Sequence, residues 1–103
     1  MTLKVDKSSK LYPSLLRNIS NPPDTIFYKG TWRSDIFENC LGIVGSRSMT
    51  PYGDRVVKKL LSGLVMSGIS IVSGFMYGID ATAHLYALDY GISTIAVLPC
   101  GIN

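Results

Sequence analysis

Three short stretches concentrate the residues able to do chemistry: Gly45-Ser46-Arg47, then Ser73-Gly74 followed by Gly78-Ile79-Asp80, and finally Pro99-Cys100-Gly101. Glycine lets backbone come close to a ligand, and arginine presents a planar fork of N–H donors that matches a phosphate. A cation set among glycine loops is the chemistry of anion binding. Arg47 carries two readings, a phosphate contact or a surface arginine paired with an acid such as Asp54. Ser46 also carries two, a donor to the same phosphate or a stabiliser of its own turn.

Other chemistries fail on spacing. Gly42, Gly45 and Gly53 do not form Gly-x-Gly-x-x-Gly, and Ser73-Gly74 stands where a dinucleotide site needs an acid for the ribose, which argues against an ordinary NAD site. The chain has no Gly-x-x-x-x-Gly-Lys-Ser/Thr phosphate loop. His84 follows Asp80 by four residues, a spacing that puts both on one helix face and can fix a histidine tautomer. Ser73, the available nucleophile, lacks a Gly-x-Ser-x-Gly elbow, so the expectation is a helix-start interaction between Asp80 and His84, with no catalytic residue. Cys40 and Cys100 lie far apart with no Cys-x-x-Cys and no clustered histidine, which points to two reduced thiols and no metal or other cofactor. Tyr86 and Tyr90, also four apart, are expected to pack or to cover an interface.

These loops act together only if the elements before them end on one edge. Leu41-Gly42-Ile43-Val44 reads as a strand buried on both faces. Thr50 suits a helix N-cap and Pro51 the first helical position, where its missing N–H costs nothing. Val56, Val57, Leu60, Leu61, Leu64 and Val65 recur at helical spacing, and Gly68 is the expected stop. Ile69 to Val72 reads as a second strand running into Ser73-Gly74. A helix follows from Gly78, with an apolar face of Ile79, Ala83, Ala87 and Leu88, and Gly91 ends it. Asp80 either caps that helix or favours the positive end of its dipole. Thr94 to Leu98 makes the third strand. Strand, helix, strand, helix, strand with short connections predicts parallel strands: an α/β chain with half of a three-layer Rossmann-like sheet. Ligands bind at the carboxyl edge of such sheets.

Residues 1–40 read as an N-terminal extension packing on that sheet, and residues 41–103 as the first half of the Rossmann-like domain. In the extension, Tyr12-Pro13 opens a helical turn with Leu15, Leu16 and Ile19; Pro22-Pro23 ends it, and Ile26-Phe27-Tyr28 reads as a short strand. At 103 residues with 47% apolar types the chain is one globular domain, and 10 basic against 7 acidic residues do not by themselves announce a nucleic-acid binder. No apolar run is long enough to span a membrane, and Met1 to Lys10 is too polar for a secretory signal, so a cytoplasmic protein is expected.

Taken in order, Tyr12-Pro13-Ser14-Leu15-Leu16, Pro22-Pro23, Phe27-Tyr28-Lys29-Gly30, Ile43-Val44-Gly45-Ser46-Arg47, Thr50-Pro51-Tyr52-Gly53, Ser73-Gly74, Gly78-Ile79-Asp80, Ala83-His84 and Thr94 to Leu98 resemble the N-terminal part of the DNA-processing protein A (DprA/Smf) family. The match starts at Leu11 and leaves the first ten residues outside. The resemblance implies single-stranded DNA binding in natural transformation, dimerisation, and loading of the RecA recombinase, with no enzyme activity. It implies that Arg47 contacts the DNA backbone, that Gly45 and Ser46 shape its loop, and that Ser73, Gly74, Gly78, Ile79 and Asp80 line the same pocket.

Where many relatives have arginine before Gly-Ile-Asp, this chain has Tyr77, which either stacks on a base or packs. The family continues past Cys100-Gly101 with the rest of its DNA groove and dimer surface, so a truncated chain is expected. Two alternatives follow from the same fold: a nucleotide-binding or nucleotide-phosphoribohydrolase-like enzyme, and a non-functional remnant. The first expects a Pro-Gly-Gly-x-Gly-Thr run and a catalytic glutamate. The sole glutamate, Glu38, precedes the first strand of the sheet.

Overall fold

A computed structural model describes residues 2–74 and 78–98. The order is β1 (Leu3–Asp6), α1 (Ser14–Arg17), β2 (Thr25–Tyr28), a 3-10 turn at Ser34–Phe37, β3 (Cys40–Gly42), α2 (Pro51–Ser62), β4 (Ser70–Gly74), α3 (Ile79–Asp89) and β5 (Thr94–Val97).

β1 was not expected from sequence. Leu3 and Val5 alternate with Lys4 and Asp6, and the partner that makes this a strand is β2, paired antiparallel with Leu3 opposite Tyr28. Buried Val5 and Tyr12 form the centre of this ribbon, and the Tyr12 hydroxyl donates to the Pro23 carbonyl at 2.7 Å. Arg17 lies 5.3 Å from the Tyr12 ring centroid and donates to the Lys7 and Ser9 carbonyls, each at 2.9 Å. Trp32 stacks at a tilt between Tyr28 and Phe37, with centroids 4.5 and 4.6 Å away, and its indole N–H donates to Leu11.

The parallel sheet has the order β3-β4-β5, as the alternation of strands and helices predicts. Each helix lies between neighbouring strands, and Val57 and Leu61 of α2 meet Ala83 and Ala87 of α3 over Ile43 and Ile71 in a single core. Leu61 and Ile71 are wholly enclosed, each worth roughly 1.5–3 kcal/mol of burial. Two of the expected three layers are thus present among the described residues.

β3 and β5 are not buried on both faces, whereas in the central β4 the consecutive residues Ser70 and Ile71 are both buried. Val44, read as the end of the first strand, lies beyond β3 at 81% exposure, and Val97 of β5 is 59% exposed. Along β5 exposure rises from Thr94 and Ile95, both partly covered, to Ala96 and Val97, both exposed. β4 instead reaches Gly74 and takes Ser73 into the sheet. α2 stops at Ser62, with Gly63 as its C-cap, five residues before the predicted glycine stop. Val57 and Leu61 are buried, whereas Val56, Leu60 and Val65 are exposed: the apolar stripe is wider than the face the core covers. On α3 the buried face is Asp80, Ala83, His84 and Ala87, and Leu88 points outward.

Candidate functional site

The loops after β3 and β4 meet at the carboxyl edge. Gly78 is the N-cap of α3, with φ +77°, a backbone conformation that L side chains rarely adopt. A Cβ there would lie 2.2 Å from the Ser46 carbonyl oxygen and 2.7 Å from the Arg47 carbonyl group. A Cβ on Gly45 would lie 2.6 Å from the Ile79 side chain. The next amide, that of Ile79, donates to the Ser46 carbonyl at 3.1 Å. Glycines at 45 and 78 therefore let the two loops approach each other, and Ile79 is the wedge between them.

Ser46 serves its turn: its Oγ accepts the Ser48 amide at 3.0 Å. Thr50 caps α2, its Oγ1 accepting from Gly53 at 3.0 Å, and its carbonyl accepts from Asp54. With Pro51 lacking an N–H, most of the first-turn amides that sequence offered to an anion are used within the helix.

The positive charge at this edge is Arg47. It is exposed and makes no ion pair or side-chain hydrogen bond among the described residues. The alternative partner, Asp54, is taken: both its oxygens accept the Tyr86 hydroxyl, at 3.0 and 2.9 Å. That hydrogen bond, with burial and the carboxylate charge behind it, pushes the Tyr86 phenol above its usual range. Tyr90 stacks on Tyr86 with centroids 6.4 Å apart, so the pair packs as expected.

Ser73 is buried, and its hydroxyl donates to the Ile43 carbonyl, tying the ends of β3 and β4. His84 is tied in the same way. Its Nε2 meets the Gly74 carbonyl at 2.8 Å and its Nδ1 the Thr94 hydroxyl, so Nε2–H donates and the Thr94 O–H supplies the other bond. The expected Asp80–His84 link gives way to this bridge across β4 and β5, a consequence of Thr94 pairing opposite Ile71. Asp80 is buried in the first turn of α3, where it favours the positive end of the dipole and caps nothing with its side chain. Gly74 ends β4, and the site positions named from sequence (Gly45, Ser46, Arg47, Ser73, Gly74, Gly78, Ile79 and Asp80) fall at the adjoining ends of β3, β4 and α3. Tyr77 and the third loop, Pro99-Cys100-Gly101, lie outside the described residues.

Sequence reasoning passed over Tyr52. It stands in the first turn of α2, five residues after Arg47, and is 70% exposed. An aromatic at the second position of a helix start, just after the Arg47 loop, was the available signal. Cys40 is free and donates to the Ile36 carbonyl, and partial burial pushes its thiol up.

A parallel sheet whose carboxyl edge carries two interlocked glycine loops and a free arginine places the chain among Rossmann-like domains. Residues 4–103 match the family model described as DNA recombination-mediator protein A, so the match includes most of the first ten residues that the motifs left out. Protein Smf of Synechocystis is 43% identical over 89% of this chain and 24% of its own length, and the DNA processing protein DprA of Bacillus subtilis is 38% identical over 93% and 32%. The X-ray structure of DNA processing protein A from Streptococcus pneumoniae superposes with a TM-score of 0.86 at 36% identity, over 96% of this chain and 34% of that one. The chain belongs to the DNA-processing protein A (DprA/Smf) family, and spans a quarter to a third of the length of these relatives.

Proposed function

We propose that this chain forms the phosphate-binding edge of a cytoplasmic single-stranded DNA-binding protein, one that acts in DNA processing and recombinase (RecA) loading as a homodimer and without catalysis. The observation that carries the reading is Arg47: a cation with no ion-pair partner among the described residues, on a loop held rigid by Gly78 and Ile79, in a family of DNA-processing proteins. Backbone phosphate is an unpaired anion at regular spacing, and the exposed Tyr52 ring adds a surface on which a base can stack. Binding of this kind follows charge and ignores sequence.

The non-enzymatic reading is supported by the engagement of the two groups that would do acyl or phosphoryl chemistry. The Ser73 hydroxyl is bonded to Ile43 and both His84 nitrogens are occupied. No helix among the described residues is long and apolar enough to cross a membrane.

The test is fluorescence anisotropy of a labelled oligonucleotide against the 103-residue chain and its Arg47→Ala variant over a salt series. Loss of one phosphate contact is expected to weaken binding and to flatten the slope of log K against log salt by about 0.7. Equal affinity and equal slope would remove Arg47 from the interface.

A further inference from the structure

Arg47 and Asp54 flank the same helix. The Arg47 carbonyl lies against Gly78, immediately before α3, and Tyr86, further along α3, reaches across to Asp54. Asp54 belongs to the first turn of α2, the helix that the Arg47 loop leads into. The nearest acid in sequence to the free arginine is thus held by a neighbouring helix and turned toward its hydroxyl.

We propose that Tyr86 is a positioning residue for the anion site: by holding both carboxylate oxygens of Asp54, it keeps an internal competitor off Arg47 and leaves the guanidinium available to phosphate. The inference rests on the reading of Arg47 as a phosphate contact. A carboxylate released from Tyr86 has lost its donor, and the Arg47 guanidinium offers it paired N–H groups and opposite charge in competition with Arg55 and Lys58 of its own helix. An oligonucleotide must then displace that ion pair before it binds. The raised Tyr86 phenol accords with this geometry, since the neutral hydroxyl is the form that Asp54 favours.

The experiment measures oligonucleotide affinity at low salt for the 103-residue chain and for Tyr86→Phe, Asp54→Asn, the Tyr86→Phe/Asp54→Asn double variant, Arg47→Ala, and Tyr90→Phe as a control. Tyr86→Phe keeps the ring that packs against α2 and removes only the donor. Its expected effect is a two- to five-fold loss of affinity, about 0.4–1 kcal/mol at 1.4 kcal/mol per tenfold, the range of an exposed ion pair.

Asp54→Asn in the Tyr86→Phe background is expected to restore wild-type affinity, because the neutral amide no longer competes. Tyr90→Phe is expected to bind as wild type does. Far-UV circular dichroism and a thermal midpoint establish that each variant is folded at the assay temperature. Loss in Tyr86→Phe without rescue would assign Tyr86 a structural role only and overturn the proposal, as would unchanged binding in Tyr86→Phe. If Arg47→Ala itself binds as wild type does, it is the reading of Arg47 that fails. Asp54→Asn alone is expected to bind as wild type does; a gain in that single variant as large as the rescue would reflect loss of a negative charge in general and overturn the proposal.

Discussion

Replacing Gly78 with alanine asks how much of the fold rests on the contact between the two loops. The added methyl would sit 2.2 Å from the Ser46 carbonyl oxygen, more than 1 Å inside ordinary van der Waals separation, and that neighbour is backbone. Relief requires the Ser46-Arg47 segment to withdraw, which stretches the 3.1 Å bond from Ile79 to Ser46. Two costs combine. A side chain at φ +77° in this region costs about 1–3 kcal/mol, and forced packing against an unyielding neighbour adds about 1–3 kcal/mol.

A total of about 2–6 kcal/mol is a large share of the roughly 5–15 kcal/mol that holds a small domain folded. At about 4–8 °C per kcal/mol the thermal midpoint falls by at least about 8 °C. Gly68→Ala is the matched control: its φ is +80° and a Cβ there meets nothing within 4 Å, so it incurs the backbone cost without the collision. Thermal denaturation followed by circular dichroism compares the two. If Gly78→Ala melts no lower than Gly68→Ala, the loops are not locked by that contact and the argument for glycine at 78 is refuted.

Ser73→Ala leaves the Ile43 carbonyl without its donor, and urea denaturation should register a loss of about 1–3 kcal/mol. Thr50→Ala removes the N-cap of α2 and should cost about 1 kcal/mol, while Thr50→Ser keeps the oxygen and most of the stability, read in the same urea experiment. The Tyr86 phenol is raised in the folded chain above its ordinary value of 10.0, first by the hydrogen bond to Asp54, so the folded state holds the proton more tightly than the unfolded one. Its stabilisation is complete below pH 10 and is lost as the pH climbs through the folded value; the alkaline limb of a stability–pH curve should flatten in Tyr86→Phe.

The features legible in the sequence are those set by near neighbours. Thr50-Pro51 starts α2 because a cap and a proline act over three residues, and the order of the parallel sheet follows from strands and helices that alternate with short connections. What the sequence concealed depends on residues brought from far away. Leu3–Asp6 becomes a strand only when Thr25–Tyr28 lies alongside it. The stripe on α2 does not say that Val57 and Leu61 face the core while Val56 and Leu60 face water, because α3 decides that. At the site, Arg47 and its loop were visible from residue type and position. The partners of Asp54 and His84 were not, since Tyr86 and Thr94 reach them through the packing of α3. Gly63 ended α2 ahead of the more conspicuous Gly68.

The contact between Gly45 and Ile79 has a consequence for how such a motif can vary. An alanine at 45 would meet the Ile79 branch at 2.6 Å, yet that branch is side chain and can be shortened. The two positions, 34 apart in sequence, share one volume, so their substitutions are non-additive: Gly45→Ala and Ile79→Ala together should destabilise less than the sum of each alone, a coupling that a double-mutant cycle measures. A glycine that reads as an adaptation to a ligand is thus equally a record of the isoleucine it accommodates.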